Sequence, residues 1–232
     1  MNGTRSGLTF AIIVAAGRSE RMGGVDKIFA PLMGRPLLAW TLGAFKSCDD
    51  IDEVIVVSAP VAVQRVQAFV REWRFGKVTA VVAGGATRQD SVRAGLDFAS
   101  EAALVAVHDA ARPLVTPELI SAGVALARES GAALCAIPAF ETLKEVDGDP
   151  PVVAATLDRS RIWLAQTPQV FDRKLLVDAH ARASTAATDD AALVEATGHA
   201  VRIYEGARSN LKVTTPEDLL IAEALLRERF AT

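Results

Sequence analysis

Two kinds of residue in this chain are spaced for phosphate chemistry: clustered glycines, and cations close behind them. The stretch from Gly17 to Lys27 holds Gly17, Gly23 and Gly24, the arginines Arg18 and Arg21, and Lys27 itself. It follows Phe10 to Ala16, an apolar run rich in β-branched residues that reads as a buried strand. Open α/β sheets bind phosphates at a glycine-rich loop after the first parallel strand. Small residues there let backbone N–H groups approach the anion, and the cations neutralise it. The pattern matches neither G-x-G-x-x-G nor G-x-x-x-x-G-K-[ST], so the dinucleotide and P-loop readings are weak. An ordinary βα turn carrying a solvated basic loop is the competing reading.

Three further groups of residues carry chemistry. In Gly84-Gly-Ala-Thr-Arg-Gln-Asp-Ser91, the glycine pair allows close backbone approach and Thr87 can cap a following helix. A plain turn before a capped helix is the alternative, with Arg88 and Asp90 bracing the loop. In His108-Asp-Ala-Ala-Arg-Pro113, Asp109 can hold a hard cation such as Mg²⁺ through one carboxylate, with phosphate oxygens as further ligands. Arg112 can fork onto a phosphate, or simply pair with Asp109. His108 reads as structural, since no nucleophile to activate lies near it in sequence. In Thr188-Asp-Asp-Ala-Ala-Leu-Val-Glu195, three acids invite a metal reading. The plainer one is a helix with Thr188 at its N-cap and acids in a first turn that favours them.

These groups need elements to hold them. Apolar residues recur at helical spacing from Arg35 to Phe45, with Pro36 suited to a first helical turn. Strands are expected at Glu53–Ser58, Lys77–Ala83, Leu104–His108, Ala132–Ile137 and Ala200–Glu205, and helices at Pro60–Trp73 and Pro117–Ser130. The alternation predicts an α/β fold with a doubly wound, mostly parallel sheet, read as one domain over 1–232. Near the end, Thr215-Pro216 is a cap followed by Pro at the first helical position, and Lys212 is placed on a short strand before it.

One segment breaks the alternation. Phe140 to Ser160 reads as a β-hairpin with a polar turn at Asp147-Gly-Asp-Pro-Pro151, an arm of about 139–160. A half-apolar hairpin without a core is unstable alone in water. Pairing with a second copy of the chain is the natural way to bury it.

Composition removes several classes. The chain has 232 residues, half of them hydrophobic, and a formal charge of −3. That charge gives no reason to expect nucleic acid or an anionic membrane as partner. No run of about 18 apolar residues offers a membrane span, and the first eight residues lack the apolar core of a signal peptide. The two cysteines, Cys48 and Cys135, show no metal-ligand spacing and read as reduced core residues, as in a cytoplasmic protein.

Taken together, Ala15-Ala-Gly17, Arg21-Met22, Lys27 and Gly34-Arg-Pro-Leu-Leu38 resemble the first loop of sugar-nucleotide-type nucleotidyltransferases. Ser19 and Asp26 stand where that loop usually has Gly and Pro. The hexapeptide His108–Pro113 narrows the likeness: it resembles the 2-C-methyl-D-erythritol 4-phosphate cytidylyltransferase family and, less closely, the ribitol-phosphate cytidylyltransferases. The likeness runs from about Phe10 to Leu226. It implies a Rossmann-like nucleotidyltransferase domain and transfer of a cytidylyl group from CTP to a phosphorylated polyol, in non-mevalonate isoprenoid precursor synthesis. Ribitol 5-phosphate is the alternative acceptor, and an inactive nucleotide-binding regulator a more distant one.

The resemblance also implies roles. Arg21 and Lys27 would stabilise charge at the α-phosphate. Ala15, Ala16, Gly17, Gly85, Ala86 and Ser91 would hold the nucleotide. Asp109, Arg112, Thr142, Arg159, Thr167, Thr188 and Lys212 would bind the polyol phosphate, with Asp109 also holding Mg²⁺. The arm would make a homodimer and serve the partner subunit's site. Some relatives carry a second, cyclising domain downstream, for which this chain is expected to have no room.

Overall fold

The computed structural model describes residues 7–17, 27–183 and 187–231. The first strand, β1 (Leu8–Ala15), is buried on both faces, which is why it reads as a continuous apolar run rather than an alternating one. Ala11, Ile13 and Ala15 point to one side of the sheet, and Phe10 and Ile12 to the other. After a 3₁₀ turn at Lys27–Phe29, a small antiparallel pair, β2 (Pro31–Leu32) and β3 (Arg35–Pro36), turns through Met33 and Gly34 at φ 48° and 73°. Helix α1 (Leu37–Ser47) therefore starts later than the apolar spacing suggested. Pro36 is its N-cap, held in extended conformation by pairing with Pro31, and not part of its first turn.

The chain then alternates: β4 (Glu53–Ser58), a 3₁₀ turn at Pro60–Ala62, α2 (Val63–Glu72), β5 (Val78–Ala83), α3 (Arg88–Leu96), β6 (Ala102–Asp109), α4 (Pro117–Ser130) and β7 (Ala132–Pro138). A hairpin of β8 (Lys144–Asp147) and β9 (Val152–Thr156) follows. After it come β10 (Trp163–Asp172), α5 (Arg173–Arg182), α6 (Asp190–Glu195), β11 (Arg202–Glu205) and α7 (Pro216–Phe230). Helix α5 was not anticipated from sequence.

Among the described residues, seven strands make one sheet in the order β11-β7-β10-β6-β1-β4-β5. Strand β10 runs antiparallel to β6 and β7, and the other pairings are parallel. The chain winds outward from β1 through β4 to β5, then crosses back to lay β6 on the other side of β1. The switch in direction lies between β1 and β6, and open α/β sheets bind ligands in the crevice beyond the carboxyl ends of such a strand pair.

Each face of the sheet has its own core. Leu42, Phe45, Val66, Phe69, Ile120 and Val124, from α1, α2 and α4, cover one face. Val92, Leu96, Leu176, Leu193 and Val194, from α3, α5 and α6, cover the other. A third, smaller cluster sits under α7, where Ala222 and Leu226 pack on Leu32, Leu37, Leu114 and Val213. The β8–β9 hairpin is a separate two-stranded sheet with Val146, Val152 and Val153 exposed. The segment around Lys212 is not a strand as expected. It is irregular, and it is pinned where the Val213 N–H donates to the Ala111 carbonyl at 2.8 Å. No helix among the described residues is long and apolar enough to cross a membrane.

Candidate active site

A cavity of about 680 Å³ opens at the β1–β6 switch point. Its walls are the end of β1 with Ala16 and Gly17, the Gly84–Ser91 loop, the end of β6 from Asp109 to Ala111, Lys27, and Lys212. Thus Ala15, Ala16, Gly17, Lys27, Gly85, Ala86, Ser91, Asp109 and Lys212, far apart in sequence, share one cavity.

The loop after β5 is built by close packing. A Cβ on Gly84 would lie 2.6 Å from Ala16 Cβ and 2.7 Å from Ser91 Oγ, and a Cβ on Gly85 would collide with Asp90. The glycines are thus required by the chain itself. A capping box sets the loop's exit: the Thr87 hydroxyl accepts from the Asp90 N–H, and the Asp90 carboxylate accepts from the Thr87 N–H. The Ser91 hydroxyl donates back to the Thr87 carbonyl at 2.9 Å. Asp90 therefore braces the loop, as its spacing suggested.

Asp109 is the electrostatic centre. Its Oδ2 lies 2.8 Å from Lys212 Nζ and 3.9 Å from Arg112 Nε, and its Oδ1 lies 3.4 Å from Arg88 Nε. Burial pushes its carboxyl upward. Lys212, Arg88 and Arg112 outweigh burial and hold it well below the usual carboxylate range, so it is an anion at neutral pH.

The backbone at Asp109 is fixed from below. Its N–H donates to Thr167 Oγ1 at 3.1 Å, and that hydroxyl lies 3.0 Å from His108 Nδ1. His108 Nε2 lies 3.2 Å from the Arg112 carbonyl, which can only accept. Nε2 must therefore carry the ring proton, and the Thr167 hydroxyl donates to Nδ1. Complete burial lowers the His108 pKa to about 3, so the ring is neutral and structural, as read from sequence. Thr167, expected to touch substrate, has its single proton committed to this ring.

Arg112 lies beneath the cavity. Its Nη1 donates to the Asn210 carbonyl at 2.7 Å, and its side chain is largely buried. The Asn210 side chain in turn donates to the Thr167 carbonyl and Gln166 Oε1. In this way Arg112 steadies the segment that delivers Lys212.

Three other expected contacts lie away from the cavity of their own chain. Thr142 is exposed at the foot of the hairpin. Arg159 is exposed and donates to the Phe140 carbonyl at 2.8 Å. Thr188 is not the N-cap of α6. That position belongs to the next residue, Asp189, whose Oδ1 accepts from the Ala192 N–H. Asp189 also accepts from Gln169, and Asp190 from Arg88, so these acids are spent on structure. Groups of three or more His, Cys, Asp or Glu suited to a metal are absent among the described residues. Arg21, with Arg18, Ser19, Gly23, Gly24 and Asp26, lies outside the described residues.

Sequence reasoning missed Arg88 as a cavity residue and Gly84 as the point of closest packing. A cation at the first position of a helix, where the macrodipole disfavours it, is the signal that could have pointed to Arg88.

The family model described as IspD, 2-C-methyl-D-erythritol 4-phosphate cytidylyltransferase, matches residues 9–228. The chain belongs to this family. Individual family members resemble it over nearly its full length. A 2-C-methyl-D-erythritol 4-phosphate cytidylyltransferase of Dehalococcoides mccartyi (strain CBDB1) is 45% identical, over 94% of this chain and 96% of the relative. A bifunctional IspD/IspF enzyme of Desulforudis audaxviator is 48% identical, over 94% of this chain and 56% of that protein. Among solved structures, the 2-C-methyl-D-erythritol 4-phosphate cytidylyltransferase of Thermus thermophilus superposes with a TM-score of 0.77 at 38% identity, covering 96% of this chain and 100% of the other.

Proposed function

We propose that this cytidylyltransferase-family chain joins CTP to 2-C-methyl-D-erythritol 4-phosphate, releasing pyrophosphate. The observation that carries the reading is the shared cavity at the switch point. It sets a tightly packed Gly-Gly loop beside Lys27, Asp109 and Lys212. The acceptor's phosphate monoester has a second pKa of about 6 and is already a nucleophile at neutral pH, so no general base is needed. Its oxygen bonds to the α-phosphorus of CTP as the bond to the β-phosphate oxygen breaks. What the protein supplies is alignment of two anions and stabilisation of charge on the α-phosphate. Lys27 and Arg21 serve that charge, and Lys212 holds the acceptor phosphate.

Asp109 is suited to Mg²⁺. It is ionised, lines the cavity, and can act as one carboxylate ligand beside phosphate oxygens, the way Mg²⁺ is commonly held with nucleotides. When bound, Mg²⁺ supplies charge neutralisation on the leaving pyrophosphate.

The active form in this reading is a homodimer through the hairpin, at work in the cytoplasm. The support is that β8 and β9 pair with each other and leave valines exposed, and that Thr142 and Arg159 lie outside their own chain's cavity. Each arm then brings these two residues to its partner's acceptor.

Pyrophosphate release tests the reading. CTP with methylerythritol phosphate should turn over far faster than CTP with ribitol 5-phosphate. CTP should exceed UTP in kcat/KM by roughly 5- to 150-fold, because uracil leaves one buried hydrogen-bonding partner of the loop unpaired at ~1–3 kcal/mol. Equal use of CTP and UTP would remove the cytidylyl assignment, and preference for ribitol 5-phosphate would replace the acceptor.

A further inference from the structure

Arg88 has two carboxylate partners on opposite sides. Its Nε lies 3.4 Å from Asp109 Oδ1 in the cavity, and its Nη1 lies 2.6 Å from Asp190 Oδ2 at the start of α6. Asp190 is 1% exposed, and its other oxygen, Oδ1, is 3.0 Å from Nε2 of His180 on α5, itself 2% exposed. A second tie joins the same elements, from the Arg93 guanidinium on α3 to the His180 carbonyl. The chain of contacts runs from the cavity carboxylate through Arg88 to a buried anchor on α5 and α6.

Arg88 is the first residue of α3, but it takes no part in capping that helix. Thr87 and Asp90 do so alone. A cation at a helix N-terminus opposes the macrodipole, so its own helix gives it no reason to be there. The two carboxylates do, and only a planar fork can meet both from fixed angles. We infer that Arg88 is a positioning residue: held by Asp190, it fixes the Asp109 carboxylate so that Oδ2 pairs with Lys212 and steadies that ammonium for the acceptor phosphate. This rests on the activity proposed above.

The geometry separates this role from a merely structural one. The nucleotide loop keeps its shape without the Arg88 side chain, because the capping box and the Gly84–Ala16 packing hold it. Loss of Arg88 should therefore strike the acceptor and spare CTP binding measured without Mg²⁺, since Asp109 would act on CTP only through the metal. In Arg88→Lys, one ammonium can meet Asp109 or Asp190 but cannot span them. In Asp190→Asn, Arg88 and the side-chain shape remain while the anchor loses its charge.

Both variants are assayed by pyrophosphate release with each substrate varied, and by calorimetry of methylerythritol phosphate binding and of CTP binding without Mg²⁺. Expected for Arg88→Lys is a fall of about 10- to 100-fold in kcat/KM for the polyol phosphate, with CTP affinity within about twofold of wild type. Asp190→Asn should move the same two readouts in the same direction. If Arg88→Lys does not fold, Asp190→Asn decides alone. The role is overturned if acceptor kcat/KM stays within about twofold of wild type, or if CTP and acceptor binding fall in parallel. The wild-type chain run alongside keeps the two readings apart. Failure of its own turnover would strike the proposed activity, whereas unchanged variants beside an active wild type strike the role of Arg88.

Discussion

At the scale of single residues, the site is a contest between burial and charge. Asp109 and His108 are neighbours at the end of one buried strand, yet they take opposite protonation outcomes. Asp109 keeps its charge because three cations converge on it, whereas His108 loses its charge because burial outweighs the Asp109 field. His108 thereby contributes a pH dependence to stability. Its folded pKa, about 3, lies below its unfolded value of 6.5. Between these values the unfolded chain binds a proton that the native chain does not, so stability is lost as pH falls through that window. Asp109 acts in the same direction, but only below the ordinary carboxylate pKa of 3.8. Denaturant titrations between about pH 6 and about pH 4.5 should show a slope of up to about 1.4 kcal/mol per pH unit from His108. In His108→Gln that slope should fall by about one proton's worth. An unchanged slope would mean that the ring is protonated in the folded protein.

At the scale of elements, two glycines next to the cavity answer to different constraints. Gly84 is required by its own fold, since a methyl group there meets both Ala16 and Ser91. At Gly17, by contrast, a Cβ meets nothing within 4 Å among the described residues. In the proposed reading, a ligand approaching the backbone there favours a residue without a side chain. Gly84→Ala should lower the melting temperature and weaken CTP binding together, by overpacking worth about 1–3 kcal/mol. Gly17→Ala should leave the melting temperature nearly unchanged while CTP affinity falls. Calorimetric melting and CTP titration on the same samples check both. Normal CTP affinity in Gly17→Ala would place the nucleotide elsewhere in the cavity.

For the whole molecule, the question is what completes the cavity. Lys27 lines it, whereas Arg159 faces the base of its own hairpin. If the hairpin crosses to a second copy, Arg159→Ala and Lys27→Ala homodimers should each be nearly inactive. In a mixed dimer, one site carries both lesions and the other neither. Mixing the two variants under conditions where subunit exchange is verified should restore activity, approaching one intact site per heterodimer. No recovery would confine Arg159 to its own chain's chemistry or remove it from the reaction. A monomer at assay concentration, measured by sedimentation, would end the shared-site reading before any mixing.

Local pattern was enough for the elements whose cause is local. The apolar runs of β1, β4 and β6, the Thr215-Pro216 start of α7 and the glycine pair after β5 carry their own signals, so the parallel α/β alternation and the glycine loop after β5 were legible. Boundaries moved where pairing across the chain intervened. Pro36 is drawn into a strand pair by Pro31, and the Lys212 segment takes its path from one backbone bond to Ala111 instead of a strand ladder. The reversal of β10 against its neighbours was not legible, because the residues of one strand carry no record of the direction in which its neighbours run. Charge partners were the least legible of all. Arg88, Asp109, Asp190 and Lys212 are scattered over more than half the chain, and which carboxylate meets which cation is decided only when the switch between β1 and β6 brings their elements together. Residue types and local spacing determined what chemistry this protein can hold. The tertiary fold decided where each charge is spent, because ion pairing depends on distance in space and not on distance along the chain.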